Sequence, residues 1–162
     1  MDDIRINPIG VIHSPFKELA GMPIQPVGAR DVAGQVVVAP PFADGLADMD
    51  GFSHIILIYF FHRTGPFQPK VKPFLDNALR GLFATRAPSR PNPIGLSVVR
   101  LISVEENVLR VQGIDVLDGT PLLDIKPYVA RFDAVMTDAE GWLTQTAGQA
   151  NFRKADSRFT DD

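Results

Sequence analysis

Phe52-Ser53-His54-Ile55-Ile56-Leu57-Ile58-Tyr59-Phe60-Phe61 is the stretch on which the fold turns. Residues 55–61 are apolar without a break, and β-branched and aromatic side chains dominate. Such residues favour extended backbone. A run this short, with no polar alternate positions, reads as a central strand covered on both faces. His62 and Arg63 follow at once, so two polar side chains emerge where a buried strand ends. That is a good place for a site, although a hydrogen-bonded structural histidine is the plain alternative for His62.

Working outward, residues 4–13 and residues 34–39 read as strands, the second stopped by Pro40-Pro41. Residues 42–49 suit a short helix with Leu46 and Met49 inward, and Pro41 fits its first turn. Residues 96–104 and 108–114 flank Glu105-Glu106-Asn107 and read as a hairpin. Asp118-Gly119 is a turn signal between the apolar segments 114–117 and 122–125. Residues 82–85 read as a short strand. Residues 17–33 show no period and contain Gly21, Pro23, Pro26 and Gly28. Long ordered loops of this kind often carry function, and a disordered linker is the alternative. Strands far outnumber helices, so the expected class is mainly β: a small β-barrel with short helices and long Pro/Gly-rich loops. Exposed Phe and Ile at strand edges are suited to cover by a second copy of the chain.

A length of 162 residues fits one domain. We expect it over residues 1–150, with Trp142-Leu143 docked on its body and residues 151–162 a frayed polar tail. No apolar run reaches the roughly 18 residues of a membrane span, and the acidic start begins no signal peptide. With no cysteine and only His13, His54 and His62 as histidines, neither a thiolate zinc site nor another metal site is expected. Cytoplasm is the default location. The net charge of −3 hides an asymmetry: residues 61–100 carry seven Lys/Arg against Asp76 alone. This argues against a general nucleic-acid binder and for one local anion-binding face. A merely solvated charge run stays open for Lys70, Lys72 and Arg80.

Two stretches carry chemistry. Thr85-Arg86-Ala87-Pro88-Ser89-Arg90-Pro91-Asn92-Pro93-Ile94-Gly95 is stiffened by three prolines that forbid a helix. A stiff loop loses little entropy on binding. Arg86 and Arg90 offer planar forks for carboxylate or phosphate, and Asn92 adds a neutral donor and acceptor. A Pro-rich connection with solvated arginines is the alternative. In the second stretch, residues 115–128, Asp124, Lys126 and Tyr128 fall on alternate positions of a strand and share a face. A structural Asp124–Lys126 ion pair is open there, and Asp118 has the usual task of satisfying a backbone N–H in its turn. Dinucleotide, Walker-loop and nucleophile-elbow signatures are missing.

Thr85-Arg86-(x3)-Arg90-Pro91-Asn92-Pro93-Ile94-Gly95 and Asp118-Gly119-Thr120-Pro121-(x2)-Asp124-Ile125-Lys126-Pro127-Tyr128 resemble the paired signatures of the TsaA-like (YaeB-like) family, the barrel-fold tRNA (adenine-N6)-methyltransferases. Ile9-Gly10-Val11-Ile12-His13-Ser14-Pro15-Phe16 and Gly51-Phe52-Ser53-His54 fit the same family, so the resemblance covers residues 6–145. It implies an S-adenosyl-L-methionine-dependent enzyme on a barrel, homodimeric, that methylates N6 of threonylcarbamoyl-adenosine at position 37 of tRNA. Carried over residue by residue, cofactor contacts are expected at Gln25, Pro26, Val27 and Gly28, at His62 and Arg63, at Arg86, at Leu96, and at Leu117, Asp118, Gly119 and Thr120. Larger members carry a further C-terminal domain, which this sequence is expected to lack. An acylated acceptor nitrogen has a poor lone pair, so a general base is needed. Asp124, or Tyr128 with Lys126 beside it, is expected to serve, and Arg90 and Asn92 to hold substrate. An S-adenosylmethionine-binding regulator, or a methyltransferase for a small metabolite, are the alternatives.

Overall fold

The structure is a computed structural model and describes residues 3–24, 26–145 and 154–159. Six strands close an antiparallel barrel: β1 (Gly10–His13), β2 (Ala33–Val38), β7 (Val108–Gln112), β6 (Ile94–Glu105), β3 (His54–Phe60) and β8 (Thr120–Pro127), with β8 returning to β1. β4 (Lys70–Val71) and β5 (Arg80–Gly81) form a separate small hairpin. A four-residue helix, α1 (Ala130–Asp133), follows β8.

The long apolar run becomes β3, between β6 and β8, as a central strand should be. Its two faces differ, however. Ile55, Leu57 and Tyr59 are buried in the barrel with Val99, Leu101, Leu109, Val111 and Leu122. Ile56 and Ile58 are half-buried on the outer face, and Phe60 is 40% exposed. Closing one sheet on itself removes its edges but supplies no second layer. The outer face of β3 therefore meets its neighbours across the register, Ile56 between Val98 and Lys126, Ile58 between Leu96 and Asp124, and Phe60 beside Ile94.

The hairpin at residues 105–107 forms as expected, with Glu106 at φ 54°. The Asp118-Gly119 turn also forms. Gly119 takes φ 79°, a left-handed conformation that favours glycine. Several expectations are corrected. The strand expected over residues 4–13 is limited to β1: Pro8 gives no ladder donor, and Ile4 and Ile6 are exposed. The short helix at 42–49 is two 3₁₀ turns, Pro40–Leu46 and Met49–Gly51, with Leu46 and Met49 buried as expected. Leu82–Ala84 is a 3₁₀ turn, not a strand, because Thr85 N and Oγ both donate to Leu82 O, at 2.9 and 2.8 Å. The strand expected over residues 108–114 ends at Gln112, and the chain beyond it finds scattered partners, among them Ser14 Oγ on Val116 O at 2.6 Å.

A second, smaller core joins Val71, Leu82, Ala87 and Phe159, with Phe74 packed against it. Where a polar tail was expected, the described residues 154–159 lie against the domain. Ala155 N donates to Met22 O at 2.6 Å, Gly21 N donates to Ala155 O at 2.8 Å, and the Phe159 ring is buried. Trp142 docks as expected, its Nε1 donating to Ala84 O at 2.8 Å.

Candidate functional site

The stiff loop and the open end of the barrel enclose a cavity of about 840 Å³. Its floor is the barrel end: Tyr59 and Phe61, Gly95, and Asp115 to Leu117. The arginine loop forms one wall with Phe83 and Thr85 to Pro88. Leu19, Met22, Pro23 and Ile24 form another, and Trp142 and Phe159 contribute from the C-terminal segments. Four described residues of the long loop after β1 thus belong to the wall.

Local chemistry explains the shape of the arginine loop. Thr85 Oγ accepts from Ala87 N at 3.3 Å, Arg90 N donates to Pro88 O at 2.7 Å, and buried Ser89 accepts from Gln68 N through its carbonyl at 3.2 Å. Arg90 Nη1 donates to Thr85 O at 3.0 Å and Ala87 O at 3.4 Å, while the guanidinium lies 5.5 Å from the Phe83 ring centre. Arg90 therefore braces the backbone on both sides of Arg86.

Of the residues expected to hold cofactor or substrate, His62, Arg63, Arg86, Leu96, Leu117, Thr120 and Arg90 all line this cavity. Asp118 and Gly119 do not line it, but form the turn between Leu117 and Thr120. Gln25 lies outside the described residues. Pro26, Val27 and Gly28 form a 3₁₀ turn just beyond the lining residues Pro23 and Ile24. Asn92 is exposed on the same loop and does not line the cavity. Asp124, Lys126 and Tyr128 are not brought to it either. Asp124 and Lys126 pair at 2.7 Å beside Ile58 and Ile56, on the outside of the barrel. Tyr128 packs edge-on against His54 at the far end of β8, with ring centres 6.4 Å apart.

Two cavity residues, Tyr59 and Asp115, and the buried Ser97 that joins them carry chemistry that the sequence reading did not single out. Ser97 Oγ donates to Asp115 Oδ1 at 2.7 Å, and Tyr59 OH lies 2.9 Å from Ser97 Oγ. Burial raises the Asp115 carboxyl to about 6, against the opposing effects of the Ser97 hydroxyl, its own backbone N–H and the Arg86 charge. Burial, reinforced by the Asp115 charge, pushes the Tyr59 phenol well above its usual range. His62 is held below its usual value, first by burial and then by Arg63. One signal was available in the sequence: Ser97 sits in register with Val99 and Leu101, so a polar group faces inward in an apolar strand.

Asp118 acts as a clamp. It accepts from Ser14 N at 3.1 Å, from Lys17 Nζ at 2.5 Å, and lies 3.1 Å from His13 Nδ1. Lys17 first, then Ser14, holds its carboxyl down at about 2. A depressed carboxylate stabilises the fold above the unfolded value near 4 and loses that contribution as pH falls toward 2. Asp118→Asn is expected to cost about 1 kcal/mol or less at pH 7, given solvent screening. The two proteins should converge in acid, as urea titrations at pH 7 and pH 2.5 would show.

A family model, the N-terminal domain of tRNA-methyltransferase O, matches residues 11–134. The chain belongs to the tRNA-methyltransferase O N-terminal domain family. A probable S-adenosyl-L-methionine-binding protein of Pyrococcus abyssi is 52% identical over 96% of this chain and 85% of its own. The tRNA (adenine(37)-N6)-methyltransferase of Escherichia coli is 38% identical over 93% of this chain and 68% of its own. The crystal structure of TrmO from Pseudomonas aeruginosa matches with a TM-score of 0.72 at 41% identity, over 87% of this chain and 63% of that one. The chain thus spans about two thirds of the length of the two larger family members. Among the described residues no helix is long and apolar enough to cross a membrane, and no group of three His, Asp or Glu is placed to hold a metal ion.

Proposed function

We propose that this chain is an S-adenosylmethionine-dependent methyltransferase that acts on N6 of threonylcarbamoyl-adenosine at position 37 of tRNA. The observation that carries the reading is the cavity: one space in which His62, Arg63, Arg86, Leu96, Leu117 and Thr120, from four separate segments, converge. The donor set suits the cofactor. Arg63 and Arg86 answer a carboxylate, and Leu96, Val116 and Leu117 offer apolar surface to a nucleoside. The volume lies within the usual range for small-molecule sites. When bound, S-adenosylmethionine supplies a methyl group activated for in-line displacement by its sulfonium. The chain's task is alignment and exclusion of water. The stiff loop aligns, and Phe83, Trp142 and Phe159 shield. Arg90, in the wall, and Asn92, further along the loop, are placed on the substrate side of this reading.

The working unit in this reading is a homodimer in the cytoplasm. Its support is the apolar outer face of β3 and β6, where Leu96 is 60% exposed beside Ile58. This face runs into the cavity mouth, since Ile94 and Leu96 belong to both. Asp124 and Lys126 stand next to it. A second copy laid there is the route by which Asp124, Lys126 and Tyr128 reach a cavity that their own chain keeps them from.

The test is methyl incorporation from labelled S-adenosylmethionine into threonylcarbamoylated tRNA, with unmodified tRNA as control. Label is expected in the modified tRNA alone, falling steeply with salt as phosphate contacts are lost. Cofactor binding without label in either RNA would overturn the enzyme reading in favour of a regulator or a small-metabolite acceptor.

A further inference from the structure

We propose that Asp115 is the proton acceptor of this site, with Ser97 and Tyr59 as its positioning residues. The inference rests on the methyltransferase reading above and names the base which that reading needs. Asp115 lines the cavity from the segment between β7 and β8. Ser97 Oγ gives its hydrogen to Asp115 Oδ1, so at the 2.9 Å contact Tyr59 OH must give its own to Ser97 Oγ. Both hydrogens therefore run toward the carboxylate. They fix Oδ1 and so orient the carboxylate toward the cavity that Asp115 lines. Gly95 makes room for this chain: any Cβ there would fall on the Tyr59 ring.

A half-buried carboxylate served by a hydroxyl relay is a poor structural choice. An apolar residue would cost less desolvation, and a full ion pair would hold charge better. As a base it is well matched. The best catalytic groups titrate near the working pH, and this carboxyl is lifted to about 6. The other ionisable groups around the cavity serve less well. Tyr59 stays a phenol, Arg63, Arg86 and Arg90 are donors with no acceptor to offer, and Asp156 is bound to Arg158. His62 is neutral at pH 7 but stands exposed beside Arg63. The step balances. The acceptor N–H gives its proton to the Asp115 carboxylate, the freed nitrogen pair forms the bond to the methyl carbon, and the carbon–sulfur pair returns to sulfur. A sulfonium, an N–H and a carboxylate become a thioether, an N-methyl group and a carboxylic acid.

Asp115→Asn is expected to lower single-turnover methyl transfer about 10²–10⁴-fold, the usual worth of a positioned base, while calorimetric affinity for S-adenosylmethionine stays within about threefold. A readout without substrate or cofactor accompanies it. A carboxyl whose folded value is raised costs stability as pH climbs through that value, so Asp115→Asn should melt at or above the wild-type temperature at pH 8. A purely structural carboxylate would instead lose stability on neutralisation. Ser97→Ala removes the donor that holds Asp115 down, so the acid limb of the rate profile should move to higher pH, together with the carboxyl titration followed by carbon NMR in the free protein. Wild-type turnover in Asp115→Asn, or an acid limb lost in Tyr128→Phe and kept in Asp115→Asn, would overturn the assignment and leave the methyltransferase reading standing. A wild-type protein that transfers methyl to no tRNA would overturn both.

Discussion

Leu57→Ala is expected to lower the free energy of unfolding by about 2–5 kcal/mol, the range for a large-to-small change at a buried aliphatic site. Leu57 is fully buried, and its neighbours in the barrel come from other strands that are hydrogen-bonded into one closed sheet. A closed barrel cannot slide a strand inward to fill a void without breaking ladder bonds, so little relaxation is available. In a domain of this size the loss is roughly 5–20 °C in melting temperature, measurable by calorimetry. The neighbouring position should behave differently. Ile58 faces outward, half-buried beside Leu96. In the proposed homodimer, Ile58→Asp should leave the barrel folded and move the sedimentation profile from dimer to monomer. If Leu57→Ala lost less than about 1 kcal/mol, the inner face of β3 would not be the tight core seen here. If Ile58→Asp sedimented as wild type, the proposed dimer through this face would be overturned.

The same pair of residues shows how far the sequence could be read. The apolar run at residues 55–61 announces a strand between two others, and that is what forms. It does not say whether the outer face meets a second layer, because an unbroken run looks the same in a covered sheet and in a barrel whose outer face is half-exposed. Turn chemistry was legible where the backbone demands special residues, as at Asp118-Gly119. It failed at residues 82–85, where a short apolar run has only one residue to bury and the threonine hydroxyl closes a turn. The cavity was legible in parts. His62, Arg86 and Arg90 stand out as polar groups beside strand ends or in a rigid loop. Asp115 does not, because its meaning depends on Ser97, eighteen positions earlier and joined to it only when β6 and β7 have paired. Asp124, Lys126 and Tyr128 stand out by alternation on one strand, yet alternation cannot tell which side of a closed sheet is the site.

Arg90→Lys and Arg86→Ala are expected to be strongly non-additive in their effect on S-adenosylmethionine affinity. Alone, Arg86→Ala removes a charged donor from the cavity, a loss of about 1.5–3 kcal/mol, or roughly 10- to 150-fold in Kd. Arg90→Lys keeps the charge but loses the planar fork. A single ammonium cannot reproduce a guanidinium that holds Thr85 O and Ala87 O while lying over Phe83. Those two carbonyls flank Arg86, so the brace acts on the residue between them. Slackening it restores to the loop the entropy that its three prolines and this arginine together remove, and most of the cost should appear as a misplaced Arg86. Once Arg86 is alanine there is little left for Arg90 to place. The double mutant should therefore bind about as weakly as Arg86→Ala alone, with a coupling energy of at least about 1 kcal/mol in a calorimetric cycle. Strict additivity would mean that Arg90 meets the ligand directly with its own fork, and that the contacts to Thr85 and Ala87 are incidental.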